Sequence, residues 1–244
     1  MIEYAENAQR KLDELDNASE SKDSLIAEIK SLEKQVYIEA KSISSERKKA
    51  AQKMAEGVLS VLSSLGMGGT RFAVSITDKA ESSFGDGALQ SCGPYGMDNI
   101  EFLISANPGQ PLAPLAKIAS GGELSRVMLS LKTILAQSDS VGTMIFDEID
   151  TGIGGEIAVS IGSHLKKLAK DRQVLCITHL ASIAVYADNQ LKIEKSVSNG
   201  ATHTQVHPVD GEARVSEIAR MLSGDSASSE SLEHARSLLA KYSA

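Results

Sequence analysis

Three short stretches hold side chains that could do chemistry together. Thr143-Met144-Ile145-Phe146-Asp147-Glu148 is an apolar run ending in two carboxylates. In open α/β sheets ligands bind beyond the carboxyl ends of strands, which is where Asp147 and Glu148 would sit. An Asp there can hold Mg2+, directly or through water, and a neighbouring Glu can orient or deprotonate an attacking water. Acids also simply close strands, so the pair alone does not decide. Val174-Leu175-Cys176-Ile177-Thr178-His179 repeats the pattern. If the two strands are neighbours, His179 lands beside Asp147 and Glu148, where an imidazole can hydrogen-bond a terminal phosphate and sense its loss. The third stretch, Ser120-Gly121-Gly122-Glu123, opens a helix whose apolar face reads Leu124, Val127, Met128, Leu131, Ile134 and Leu135. Ser and Glu three residues apart form a capping box. Two glycines in the first turn are unexplained by a cap, since each costs roughly 0.5–1 kcal/mol against alanine. They make sense if something approaches the backbone closely, and the bare N–H groups of a helix start suit a phosphate. Ile149-Asp150-Thr151-Gly152-Ile153-Gly154-Gly155 follows as a glycine-rich turn; it lacks a lysine and reads as a tight connection.

The elements that must position these residues form an alternating series. Arg71 to Thr77 and Ile100 to Ile104 read as strands, with a glycine-rich loop from Ser82 to Asp98 between them and a connection from Asn107 to Pro114 after them. A helix over about 122–137, a buried strand over 142–147, a helix over about 155–170, a buried strand over 173–178 and a short helix over about 181–187 come next. Strands alternating with helices of this length imply a parallel α/β sheet. Leu191 to Val209 reads as a hairpin turning near Asn199-Gly200, followed by two helices.

The opening is different. All 19 glycines and all 5 prolines lie at or beyond Gly57. Leu25, Ile29, Leu32, Val36 and Ile43 step as a two-per-seven coiled-coil seam. The stripe widens through Met54, Val58, Leu59, Leu62 and Leu65, and Gly66 sits where a C-cap is wanted. The polar patch Asp16 to Asp23 reads as a turn or cap. The expected division is therefore a coiled-coil arm over 1–65 and an α/β body over 66–244. A lone seam needs a partner helix.

Composition narrows the class. A hydrophobic fraction of 42% supports a real core, and a net charge of −7 argues against a protein that simply coats nucleic acid. Cys92 and Cys176 form no CxxC, so a reducing cytoplasm is expected. No apolar run approaches membrane length, and the N-terminus is charged where a signal peptide would be greasy, so no membrane role is expected.

In their order and separations, Ser120-Gly121-Gly122-Glu123, Ile145-Phe146-Asp147-Glu148 and Thr178-His179 resemble the signature motif, Walker B and switch histidine of ABC-type ATPases. More narrowly, Ser105-Ala106-Asn107-Pro108-Gly109, Ala119 to Arg126, Asp147 to Gly155 and Thr178-His179-Leu180 are similar to the RecN family, SMC-like bacterial ATPases acting at DNA double-strand breaks. The resemblance runs from about Ala50 to the C-terminus. It implies the C-terminal lobe of a P-loop head carrying a coiled-coil segment, with ATP and Mg2+ as cofactors. By that resemblance Asp147 holds Mg2+ through its shell, Glu148 activates water and His179 contacts the γ-phosphate. Ser120, Gly121, Gly122 and Glu123 belong to the signature that reaches the nucleotide of a second head in a homodimer, and Asp150 falls in the D-loop position. Arg126 lies near the signature helix with no role assigned.

One departure limits this. The chain contains no Gly-Lys dipeptide, so it has no Walker A loop, and Gly66 to Arg71 is no substitute. The resemblance then implies partnership with a Walker A-bearing N-terminal lobe, DNA engagement through the full-length protein, and a bacterial cytoplasmic, nucleoid-associated setting. Alone, the chain is expected to have negligible ATPase activity. The alternatives are a coiled-coil tether with vestigial nucleotide residues, or the half-head of another SMC- or ABC-type ATPase. His203 and His207 read as surface histidines, Cys176 as core, and the basic clusters at 166–172 and 47–53 as solvated charge.

Overall fold

The computed structural model of the chain describes residues 2–78, 92–118, 120–198, 201–224 and 228–242. Most of the loop expected from Ser82 to Asp98, Ala119, and the Asn199-Gly200 turn lie outside the described residues. The chain forms two compact units, Met1–Gln52 with Val74–Glu101, and Lys53–Ala73 with Phe102–Ala244.

Helix α1 spans Ile2–Ser64, 63 residues without interruption. The turn expected at Asp16 to Asp23 does not occur, because Asn, Ser and Asp each cost an interior helix only up to about 0.7 kcal/mol and no Gly or Pro breaks the run. Leu25, Ile29, Leu32, Val36 and Ile43 are all exposed, so the seam finds no partner among the described residues. In the first unit Arg47 grips the turn before the second strand: Nη1 meets Asp98 Oδ2 at 2.9 Å and Nη2 donates to Tyr95 O at 2.8 Å. Lys41 pairs with Asp78 at 2.7 Å.

In the second unit the end of α1 carries Val58, Leu62 and Leu65 fully buried, as the widening stripe required. The helix closes as a Schellman motif. Gly66 takes φ +79, and Met67 N donates to Leu62 O at 3.0 Å. Strands β1 (Arg71–Asp78), β2 (Asp98–Ser105) and β3 (Ala113–Pro114) form one sheet in that order. The expected connection after β2 thus contains a short strand, antiparallel through Leu103↔Pro114 and Ile104↔Ala113. Proline at its end suits an edge position.

Helix α2 (Gly121–Ile134), β4 (Thr143–Phe146), α3 (Gly155–Leu168), β5 (Gln173–Cys176) and α4 (Ala181–Ala184) follow in the predicted alternation. β4 and β5 pair in parallel, Thr143↔Gln173 through Phe146↔Cys176. Met144 and Phe146 pack with Leu129 of α2 and with Ala158, Ile161 and Leu165 of α3. These strands were expected to be buried; only one side of them is. Ile145 is 68% exposed, and Leu175 and Ile177 are exposed beside it, because α2 and α3 cover a single face. On α2 the buried side is Arg126, Val127, Leu129, Ser130 and Leu131, which leaves Leu124, Met128, Ile134 and Leu135 of the expected stripe exposed.

The last elements are the hairpin β6 (Gln190–Ser198) and β7 (Ala201–Val209), then α5 (Gly211–Ser223) and α6 (Ser229–Tyr242). Glu217 of α5 takes Arg220 at 2.6 Å and Lys192 of β6 at 3.5 Å. His207 shares the polar face of the hairpin and lies 3.9 Å from Glu194. Val185, Val215, Ile218, Ala219 and Ala235 bury a second cluster, with Tyr186 and Tyr242 rings 4.8 Å apart at its border. The Tyr186 ring lies over Gly162 in the middle of α3, where a Cβ would stand against three of its carbons. Replacing Gly162 with Ala should therefore destabilise the fold by about 1–3 kcal/mol despite alanine's better helix propensity, read as a lower unfolding midpoint.

Candidate functional site

The parallel register delivers two chain segments to one end of the β4–β5 pair. Ile177 N donates to Phe146 O at 2.9 Å, so Asp147-Glu148 and Thr178-His179 leave the sheet together. Asp147 and Glu148 are both exposed there, and Asp147 Oδ1 accepts the Glu148 amide at 2.9 Å. Glu148 adopts φ +56, the positive-φ non-glycine among the described residues. That left-handed conformation costs an ordinary residue roughly 1–2 kcal/mol, so the surrounding structure must hold it.

Asp150 is the anchor. It is 4% exposed, and its Oδ2 accepts from Thr178 Oγ1 at 2.6 Å and from His179 N at 2.9 Å, with His179 Nδ1 standing 3.0 Å away. Leu180 N closes the turn onto Thr178 Oγ1 at 3.0 Å. The His179 side chain is 73% exposed, so the ring is open to a further partner. His179 was expected beside Asp147 and Glu148; it emerges at the same sheet end, and its recorded bond is to Asp150.

The start of α2 completes the cluster. Ser120 caps the helix, its Oγ accepting the Glu123 amide at 3.4 Å. The clearing made by the two glycines is filled from within the chain. A Cβ on Gly121 would run into the Glu148 carboxylate, and one on Gly122 would stand 3.0 Å from Glu148 O and 3.1 Å from the Thr151 Cβ. The close approach inferred from the sequence is real, but in this structure a carboxylate and a loop backbone make it.

Two residues absent from the predicted site bind α2 to that loop. Ser125 Oγ donates to Asp147 O at 2.7 Å, and Arg126 Nη1 donates to Ile149 O and to Thr151 O, each at 3.2 Å. Burial holds the Arg126 guanidinium below its ordinary pKa, with Glu123 opposing the effect. The sequence carried no local signal for it: Arg126 lies off the apolar stripe expected for this helix, on the side that the structure buries. Cys176 is half-buried, and burial, with Asp150 and Asp147 nearby, pushes its thiol up to about 12, consistent with an inert core position. Among the described residues no three His, Cys, Asp or Glu side chains are grouped to cage a metal. Mg2+ needs no such cage, since it keeps waters and takes one or two carboxylates together with substrate phosphates, and Asp147 and Glu148 supply donors of that kind. Among the same residues no helix is long and apolar enough to cross a membrane.

Removing the anchor tests this geometry. Asp150→Ala strands two donors and should cost about 1–3 kcal/mol in urea unfolding, with faster hydrogen exchange at the His179 amide. Unchanged exchange at His179 would show that Asp150 does not hold it.

No protein-family model matches the chain. Curated proteins do. Over 239 residues it is 48% identical to DNA repair protein RecN of Treponema pallidum, covering 98% of this chain and 41% of that protein. Over 244 residues it is 38% identical to DNA repair protein RecN of Bacillus subtilis, covering 98% of this chain and 42% of that protein. The chain thus spans about two fifths of the length of the curated relatives it matches. Among solved structures, the Smc head domain with a coiled coil and joint from Pyrococcus yayanosii gives a TM-score of 0.45 at 16% identity, over 78% of this chain and 30% of that one. A chain described under ATP-driven dimerization and DNA-stimulated activation of SMC ATPases gives 0.41 at 15% identity, over 75% and 99%.

Proposed function

From a sequence that is RecN-like along almost its whole length, we propose that the chain is the part of an SMC-like DNA-repair ATPase that contributes the signature and Walker B motifs. The observation that carries this is the convergence at one sheet end of Asp147, Glu148 and His179 with the glycine-opened start of α2. ATP and Mg2+ are the cofactors of this reading. Asp147, with Glu148 beside it, would hold Mg2+, which when bound neutralises charge on the phosphate oxygens.

The chain's own residues have distinct tasks. The Glu148 carboxylate takes the proton from the attacking water as the water's oxygen bonds to the γ-phosphorus and the bond from that phosphorus to the β–γ bridging oxygen breaks, ADP leaving with that oxygen. Asp147 turns its Oδ1 onto the Glu148 amide and so helps to hold that residue in its left-handed conformation. His179 meets the terminal phosphate through its exposed ring, which the bond from its own amide to Asp150 holds at the sheet end. Ser120, Gly121, Gly122 and Glu123 present the N–H groups and dipole of α2 to nucleotide held by a second head. Asp150, being buried, acts on any exchange between heads through Thr178 and His179 rather than by touching the other head.

A phosphate-wrapping lysine loop is supplied by a Walker A-bearing lobe, and the exposed side of the β4–β5 pair, Ile145, Leu175 and Ile177, offers that lobe an apolar seat. The exposed seam of α1 calls for a second helix in the same way. DNA engagement, head pairing and a cytoplasmic, nucleoid-associated setting belong to the whole protein on this reading.

The test is turnover. The purified chain should hydrolyse ATP negligibly, and joining it to the Walker A-bearing lobe should give activity. Glu148→Gln in the joined protein should lower kcat by roughly 100- to 10,000-fold while ATP still binds. Turnover by the chain alone that Glu148→Gln abolishes, or full activity of the joined Glu148→Gln protein, would overturn the assignment.

A further inference from the structure

We propose that Arg126 is a positioning residue: through it α2 fixes the loop that carries Glu148 and, by way of Asp150, the ring of His179. The proposal rests on the ATPase reading above and names a residue that governs the same site.

The geometry runs in one direction. Nη1 of Arg126 takes the carbonyls of Ile149 and Thr151, the two residues flanking Asp150, at 3.2 Å each. Asp150 in turn holds the Thr178 hydroxyl and the His179 amide on a single oxygen, and the His179 ring lies against it with Nδ1 at 3.0 Å. One residue earlier on α2, Ser125 fastens Asp147 O at 2.7 Å. One turn earlier, Gly122 lets the Glu148 carbonyl and Thr151 pack directly on the helix. Residues 147–151 therefore lie along the first two turns of α2 as one fastened strip, and Arg126 is its central clasp. Any displacement of the helix start is passed to Glu148 at one end of the strip and to His179 at the other.

The cost of the residue argues that its value is positional. Arg126 is only 8% exposed and forms no ion pair among the described residues, and its Nε is buried without a hydrogen-bond partner. Burying a charge with no carboxylate partner is unfavourable, and an apolar side chain of similar volume commonly serves stability as well or better. What an apolar side chain cannot do is bracket Asp150 with two donated hydrogen bonds.

Two variants separate position from packing. Arg126→Met keeps the stem and removes the donors, whereas Arg126→Lys keeps a donor. In the 244-residue chain, the His179 imidazole 15N shifts and amide exchange report on the fastening at Asp150. In Arg126→Met the His179 shifts should move, and the His179 amide should exchange at least about 10-fold faster. Arg126→Lys should stay closer to the wild type. In the protein joined to its Walker A lobe, Arg126→Met should lower kcat by about 10- to 100-fold and leave KM for ATP unchanged. An unaltered His179 spectrum in folded Arg126→Met, equal loss in both variants, or failure of both to fold would overturn the proposal. Absence of turnover in the wild-type joined protein would instead refute the ATPase reading, and the spectra would still decide the role of Arg126.

Discussion

A single buried oxygen organises the end of the β4–β5 pair where Asp147, Glu148 and His179 emerge. Asp150 Oδ2 lies inside the fold, where an unpartnered carboxylate would be strongly disfavoured, and two donors, from Thr178 and His179, satisfy it. Those donors sit at the end of β5 while Asp150 follows β4, so the bonds lock together the exits of two strands whose ladder covers only four residue pairs. A parallel pair that short is not rigid by itself. Its alignment, and with it the spacing of every group at that end, depends on the cluster beyond the last rung.

α2 supplies the second constraint. Glu148 in a left-handed conformation, Asp150 below the surface and glycines at the helix start are three unfavourable choices taken separately. Together they fit: the glycines admit Glu148 and Thr151, and Arg126 and Ser125 bind the intervening carbonyls. Strain and burial gathered within five residues mark a functional site better than any one of these features.

The alternation of strands and helices, the parallel pairing and the meeting of Asp147, Glu148 and His179 at one end were legible because periodicity and strand-end polarity encode them directly. So was the Gly66 cap. The continuity of α1 through Asp16 to Asp23 was not, since turn-forming composition is a weak preference that a long helix overrides. One-sided burial of β4 and β5 escaped because an apolar run does not say how many layers cover it. Arg126 and Gly162 depend on what another element places against them, Thr151 and Ile149 in one case and the Tyr186 ring in the other, and no local pattern reports that.

The crowding at Gly121 bears on how substitutions in such a motif are interpreted. A side chain there would collide first with the Glu148 carboxylate of its own chain. On the reading proposed above, loss of activity in a Gly121 variant would thus have two origins that a rate measurement cannot tell apart, a damaged surface for a second head and a displaced Glu148 in the same chain. Only mixed assemblies, with the altered glycine in one copy and the altered glutamate in the other, would assign the defect to a side of the interface.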